Sequence, residues 1–112
     1  MEHQQENVSP FNQMTAHAEA AANLLKKMSN PHRLMILCAL ATGERSVNAL
    51  NQKVMLSQSA LSQHLASLRE ADLVTTRKEG QTVYYQLKGD DAIKVIAVLQ
   101  KIYCPDMAAS KA

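Results

Sequence analysis

A chain of 112 residues is long enough for one compact domain, and its hydrophobic content of 46% is typical of a globular fold. No apolar run approaches the roughly 18 residues of a membrane span, and the N-terminal residues lack the basic and apolar regions of a signal peptide. We therefore expect a cytoplasmic protein without membrane contact, in which the thiols are reduced. The net charge of +2 is uneven: residues 1–22 carry −3, residues 23–88 carry +5 and residues 89–112 are balanced. The basic centre favours a polyanionic partner, although a mildly basic surface without a partner has the same charge.

The first third of the chain predicts a tail and two helices. Residues 1–11 are polar and without periodicity, which indicates a flexible tail. Apolar residues then recur at spacings of four and three, a pattern that predicts a helix with a heptad-like seam. The seam consists of Met14, Ala18, Ala21, Leu25 and Met28. Asn30 and Pro31 form a helix start signal, and the helix after them is apolar almost all round, so we expect it in the core.

The middle of the chain predicts two short helices in close succession. Gly43 ends the core helix, and Ser46 can cap a short helix over SVNALNQKV. Ser57 is the expected N-cap of the next helix, residues 57–70. Its buried stripe is formed by Leu61, Leu65 and Leu68. Two helices joined by so tight a connection predict a helix-turn-helix.

Strands follow the helix-turn-helix, because the apolar period changes from 3.6 to 2 after Asp72. The segments LVTTRK and QTVYYQL are rich in β-branched and aromatic residues and flank Glu79 and Gly80, where glycine can take a positive φ. We therefore expect a β-hairpin that forms a wing beside the helix-turn-helix.

The last predicted helix begins at Gly89 or Asp90 and ends before Pro105, and its apolar residues cover more than one face. One face holds Ala92, Val95, Ile96, Leu99 and Ile102, and beyond it lie Ile93 and Val98. One face is enough to pack on its own domain, so the excess predicts a second partner. The predicted fold is mainly α with a small β-hairpin, in the order ααααββα: a winged helix-turn-helix in residues 12–104, with flexible tails at 1–11 and 105–112.

The outer face of the helix over residues 57–70 is made of small neutral hydrogen-bonding groups. A helix that enters a DNA major groove needs a slim outer face whose side chains both donate and accept hydrogen bonds. Glutamine can pair bidentately with adenine, and serine adapts to bases or phosphates. The predicted DNA contacts on this helix are Gln58, Ser59, Ser62 and Gln63, with His64 at the edge as a flanking or backbone contact. The alternative is a plain surface helix that happens to be rich in serine.

The predicted wing carries cations beside its turn. Arg77, Lys78 and Gln81 are expected to lie along the DNA backbone or in the minor groove. Such contacts supply affinity and salt dependence rather than sequence choice. A Ser/Gln helix followed at once by a basic-tipped hairpin makes DNA binding the favoured interpretation.

The segments MSNPHRLMILCAL and LSQSALSQHLASLREADLVTTRKEGQTVYYQL resemble the ArsR/SmtB family of bacterial winged-helix regulators, over roughly residues 15–104. The resemblance implies a homodimer that binds palindromic operators in double-stranded DNA. It also implies an interface formed largely by the first and last helices, which fits the heptad seam and the additional apolar face of the last helix.

Metal sites of the kinds found in this family are not matched. Many members carry a Cys-x-Cys segment in the short helix before the recognition helix, where this chain reads ERSVNALNQ, and others use Asp and His pairs on the last helix, which here lacks histidine. Zinc needs converging thiolate or imidazole ligands, so we expect no metal and no cofactor. Met28, Met35 and Met55 are interpreted as core residues.

Two cysteines remain, Cys38 in the second helix and Cys104 at the end of the last one. From the residues alone, two unrelated and inert thiols are the simpler interpretation. Cysteines at these two places resemble the sulfide- and persulfide-responsive branch of the family. That resemblance implies a dithiol pair that a disulfide or a polysulfide chain can bridge, with loss of operator affinity. Whether persulfide or peroxide is the oxidant stays open.

Two alternatives stay beside a redox-responsive regulator: a constitutive DNA-binding regulator with structural cysteines, and a module that binds a protein through the same helix and wing. An enzyme is not expected, because the sequence has no Gly-rich phosphate loop, paired carboxylates or Ser/His/Asp set. The resemblance allows direct repression or activation by competition with a nucleoid silencer protein. It predicts neither the operator nor the target genes.

Overall fold

The computed structural model describes residues 9–105, which form five α-helices and three β-strands. In chain order these are α1 (Pro10–Met28), α2 (Pro31–Leu40), β1 (Arg45–Ser46), α3 (Val47–Lys53), α4 (Gln58–Glu70), β2 (Val74–Glu79), β3 (Thr82–Leu87) and α5 (Asp91–Tyr103). The order confirms the predicted winged helix-turn-helix, with α3 and α4 as the helix-turn-helix and the β2–β3 hairpin as the wing, and adds one short strand.

Side-chain caps begin α2, α3 and α4 at the predicted residues. The side chain of Asn30 accepts hydrogen bonds from the backbone N–H groups of His32 and Arg33 at 2.9 and 3.1 Å. Ser46 and Ser57 cap α3 and α4, each with its hydroxyl 3.1 Å from the backbone nitrogen three residues later. A cap of this kind stabilises a helix by about 1 kcal/mol, so local sequence alone places these three boundaries.

Helix α1 begins earlier than the sequence predicts. Ser9 is its N-cap, with its hydroxyl accepting from the N–H of Asn12 at 3.1 Å, and Pro10 is the first helical residue. Residues 10 and 11 are therefore helical and not part of a tail, because a Ser-Pro start signal precedes the apolar period. Residues 1–8 of the predicted N-terminal tail and 106–112 of the C-terminal one lie outside the described residues.

The sheet has the antiparallel order β1–β3–β2. The wing pairs from Val74 opposite Leu87 to Glu79 opposite Thr82, and Gly80 turns the chain with φ 63°. Strand β1 was not predicted, because a segment of two residues is too short to show an alternating pattern. It pairs with β3 and continues directly into α3, so it joins the wing to the helix-turn-helix.

The core lies between α2, α4 and α5. Its residues with at most 3% exposure on these helices are Ile36, Leu37, Leu40, Leu61, Leu65, Leu68, Ala92 and Ile96. The predicted leucine stripe of α4 and the central place of α2 are thus confirmed. Of the three methionines interpreted as core residues, Met28 is buried, whereas Met35 and Met55 are 56% and 91% exposed. Met35 faces outwards from α2, and Met55 lies in the turn between α3 and α4.

Large apolar side chains stay exposed on α1 and α5. In the predicted seam of α1, Met14 and Leu25 are 51% and 55% exposed, and only Met28 is buried. On α5, Val98 and Ile102 are 56% and 60% exposed, so Ile102 does not share the buried face on which it was predicted. The core of the single chain does not use these surfaces.

Candidate nucleic-acid interface and dithiol site

Helix α4 presents its polar side chains outwards. Gln58, Ser59, Ser62 and Gln63 are all exposed. Ser59 and Gln63 lie on the side opposite the leucines that anchor the helix, Ser62 lies on its flank, and Gln58 is the first residue of the helix. Neutral groups that donate and accept hydrogen bonds are thus free to meet base edges. The structure brings these four predicted residues onto one helix, and their role as DNA contacts stays a prediction.

The turn before α4 is held by a side chain that sequence reasoning missed. The amide nitrogen of Asn51 donates to the backbone carbonyl of Leu56 at 3.1 Å, while Leu50 and Val54 anchor α3 in the core at 0% and 5% exposure. The turn that leads from α3 into α4 is therefore held by one polar contact beside two buried apolar residues of α3. An asparagine before a turn is the only signal in the sequence that points to this bond.

His64 is half-buried at the edge of α4 and contacts α2. The Nε–H of Arg33 donates to its Nδ1 at 3.4 Å, and its ring centroid lies 5.7 Å from that of His32. Partial burial, and then the charges of Arg33 and His32, lower the pKa of His64 below its ordinary value of 6.5. Because Nδ1 accepts a hydrogen bond, the proton of the neutral ring is assigned to Nε2, which leaves one donor.

The three predicted wing residues are all exposed, but Arg77 is already engaged. Its Nε and Nη2 contact the two carboxylate oxygens of Glu44 at 2.7 and 2.9 Å, and its Nη1 lies 3.3 Å from Glu79. The hydrogen bond from Arg77 lowers the pKa of Glu44, and the bond to Glu44 raises that of Arg77. The sequence suggested a free cation here, whereas the structure shows a paired one; Lys78 and Gln81 remain on the exposed tip.

Cys38 and Cys104 are free thiols that line one cavity of about 300 Å³ between α2 and α5. Cys38 is half-buried, and Cys104 is exposed at the C-cap of α5. The side-chain amide of Gln100, one turn before Cys104, donates to the Sγ of Cys38 at 3.3 Å. The structure therefore brings the two predicted thiols to one site and adds Gln100, which no sequence pattern had indicated.

Within residues 9–105, no group of three or more His, Cys, Asp or Glu side chains is arranged to hold a metal ion. In the same part of the chain, no helix is both long and apolar enough to cross a membrane.

Comparison with known proteins places these features in a family. The model of the bacterial regulatory protein arsR family matches residues 30–76. The transcriptional activator HlyU of Vibrio cholerae is 48% identical over 86% of this chain and 91% of its own. The transcriptional repressor BigR of Xylella fastidiosa has a structure similar to this one, with a TM-score of 0.82 and 38% identity over 86% of this chain and 98% of that one. A homodimeric winged helix-turn-helix DNA-binding domain from Mycobacterium bovis matches with a TM-score of 0.69 and 30% identity over 86% of this chain and 89% of that one.

Proposed function

Because the chain belongs to the arsR family of bacterial regulatory proteins and is a DNA-binding transcriptional regulator rather than an enzyme, we propose that it binds a palindromic operator as a homodimer and that Cys38 and Cys104 control its affinity. The observation that carries DNA recognition is the exposed Ser/Gln face of α4 beside the wing. Gln63 and its neighbours on α4 read the bases, and Lys78 contacts the backbone. A cytoplasmic location is part of this proposal.

The homodimer is supported by the apolar surfaces of α1 and α5. Met14, Leu25, Val98 and Ile102 are each at least half exposed, on two helices whose other faces serve the core. Burial of such side chains against a second copy is favourable by about 25 cal/mol per Å² of apolar surface. A two-fold dimer sets its two recognition helices about 34 Å apart, which matches successive major grooves of a palindrome.

The dithiol proposal is supported by the shared cavity and by the hydrogen bond of Gln100 to Cys38. One thiolate attacks the terminal sulfur of an organic persulfide, RS–SH; the S–S bond of the reagent breaks, RS⁻ leaves and the cysteine becomes a persulfide. The second thiolate attacks the inner sulfur of that persulfide, HS⁻ leaves and a Cys38–Cys104 disulfide forms. The reagent takes up the two electrons that the two thiols give.

A covalent link between the thiols joins α2 to α5. Since α2 contacts α4 through the core and α5 carries part of the proposed dimer surface, a change in the packing of α2 on α5 alters the spacing of the two recognition helices. The linked and reduced dimers are then two populations of different operator affinity. Controlled occupancy of the operator allows either direct repression or activation by competition with a silencer.

The proposal is tested by mass spectrometry and DNA binding on the same sample. The reduced protein is treated with an organic persulfide, or in parallel with peroxide, and titrated onto DNA fragments selected from genomic DNA. We expect a Cys38–Cys104 link and operator affinity lower by at least ten-fold, which corresponds to about 1.4 kcal/mol. The Cys38→Ser variant is expected to bind equally well before and after treatment.

Four results contradict parts of the proposal. A link without loss of affinity favours a constitutive regulator with structural cysteines. A full response in Cys38→Ser excludes Cys38 as a sensing thiol. Absence of salt-dependent binding to duplex DNA favours a module that binds a protein. A monomer at the concentrations that saturate the operator excludes the dimeric arrangement.

A further inference from the structure

Arg77 spans the three-stranded sheet. It lies on β2 opposite Tyr84 of β3, and its guanidinium carbon is 4.4 Å from the centroid of that ring. Beyond the ring, two of its nitrogens reach both oxygens of Glu44, the residue immediately before β1. The side chain of Arg77 thus extends from the outer strand β2 across the middle strand β3 and contacts the residue before the other outer strand, β1.

The contact with Glu44 is specific in geometry. A guanidinium and a carboxylate that meet through two parallel hydrogen bonds fix both distance and orientation, which a lysine cannot do. The Glu44 side chain is 27% exposed and that of Arg77 49%, so the pair is partly covered by the sheet. Stacking on Tyr84 removes one further degree of freedom from the guanidinium.

The position of Glu44 in the chain determines which elements the Arg77–Glu44 contact connects. Glu44 precedes β1, whose two residues pair with Tyr84 and Tyr85, and the second of them, Ser46, caps α3. A two-stranded hairpin has little stability of its own, so its direction depends on what ties it to the domain. The Arg77–Glu44 contact ties the wing to the segment that begins the helix-turn-helix.

The charge environment of Arg77 also indicates a role within the protein rather than at the DNA. Glu44 accepts two hydrogen bonds from its guanidinium, and Glu79 lies 3.3 Å away. A cation between two carboxylates is a poor ligand for a phosphate, because its charge is neutralised and three of its five N–H donors are occupied. Lys78, one residue along the strand, points to the opposite face of the sheet and is exposed.

We propose that Arg77 is a positioning residue for operator binding: through Glu44 and Tyr84 it holds the wing at a fixed orientation to α3 and α4, so that Lys78 meets the DNA backbone. The inference rests on the proposed DNA binding and changes the role expected of Arg77, from a ligand of DNA to a support of the wing.

The Glu44→Gln variant of the full chain separates the two roles by the sign of its effect. If Arg77 were a DNA ligand held back by Glu44, the variant would bind operator more tightly, because it removes a negative charge and frees the guanidinium. A positioning role predicts weaker binding, by about three- to ten-fold, since a smaller fraction of molecules holds the wing in the binding orientation. The matched control is Glu79→Gln, which makes the same charge change on the wing and is expected to bind as the wild type or slightly more tightly.

A charge exchange supplies the second measurement. The Glu44→Arg/Arg77→Glu variant keeps the net charge and can rebuild an ion pair, so it is expected to bind more tightly than Arg77→Glu alone. Arg77→Lys keeps the charge but loses the two-pronged contact, and is expected to bind about as weakly as Glu44→Gln. Thermal unfolding without DNA identifies any variant that has lost its fold, and Arg77→Lys then carries the test as the mildest change.

The outcomes separate the inference from the function on which it rests. Tighter binding by Glu44→Gln, or wild-type affinity in Arg77→Lys, overturns the positioning role and leaves operator binding intact. Failure of the wild-type chain to bind duplex DNA overturns the proposed function, and the inference with it.

Discussion

Helix α4 and the wing belong to the same proposed interface but are held in different ways. The orientation of α4 comes from leucines that are at most 2% exposed, which leaves its polar side chains free. The wing has no comparable apolar anchor near its tip, and its arginine is used to hold the sheet together. A helix that is held by buried apolar side chains keeps all of its polar side chains available for a ligand. An element that is held by polar contacts has already engaged some of its polar side chains within the protein.

The largest effect is expected from a substitution that removes a base-contacting side chain from α4. Gln63→Ala removes a side chain that can pair bidentately with adenine, and such a pair contributes about 1–3 kcal/mol of discrimination. We expect the ratio of affinities for operator and random DNA to fall by about 5- to 150-fold, with affinity for random DNA nearly unchanged. Competition titrations at one salt concentration measure both, and an unchanged ratio would remove Gln63 from the readout.

A smaller effect is expected from the free cation of the wing. Lys78→Ala removes one phosphate contact, so binding to every sequence weakens and the slope of log K against log salt becomes shallower by about 0.9. Fluorescence anisotropy between low and moderate salt measures the slope. Lys88→Ala at the base of the wing, where Lys88 pairs with Asp72 at 2.8 Å, is the matched control and should leave the slope unchanged. Equal slopes for Lys78→Ala and the wild type would place the wing away from the backbone.

The smallest expected effect concerns the contact between α4 and α2. The pKa of His64 is lowered in the folded protein, so the unfolded chain binds a proton more readily at this residue. This contribution to stability is fully present above the ordinary value of 6.5 and is lost as pH falls through the lower pKa of the folded state. Urea unfolding between pH 8 and pH 5 should show a smaller loss of stability in His64→Gln than in the wild type. His17→Gln, exposed on α1, is the control, and an equal loss in all three proteins would contradict the assignment.

Much of the fold could be predicted because its determinants are local. The caps at Asn30, Ser46 and Ser57 and the turn at Gly80 each depend on a few adjacent residues, and the leucine stripe of α4 is a periodic pattern. Physical chemistry gives these signals directly, since a cap or a positive φ restricts the residue types that fit.

The contacts that refine the candidate site could not be predicted in the same way. Arg77 and Glu44 are 33 positions apart, and Gln100 and Cys38 are 62 apart. No spacing or composition records which of many exposed polar side chains will meet across the fold. The exposure of Gln63 followed from helical periodicity, whereas the engagement of Arg77 required the sheet.

The exposed apolar residues of α1 and α5 have a consequence for how such a protein diverges. The proposed surface that selects a partner copy lies at the two ends of the described chain, and the proposed surface that selects DNA lies in its middle, on α4. After gene duplication, substitutions on α1 and α5 can prevent mixed dimers without changing the operator, and substitutions on α4 can change the operator without changing the partner. Two regulators in one cell can therefore become independent of each other in either order.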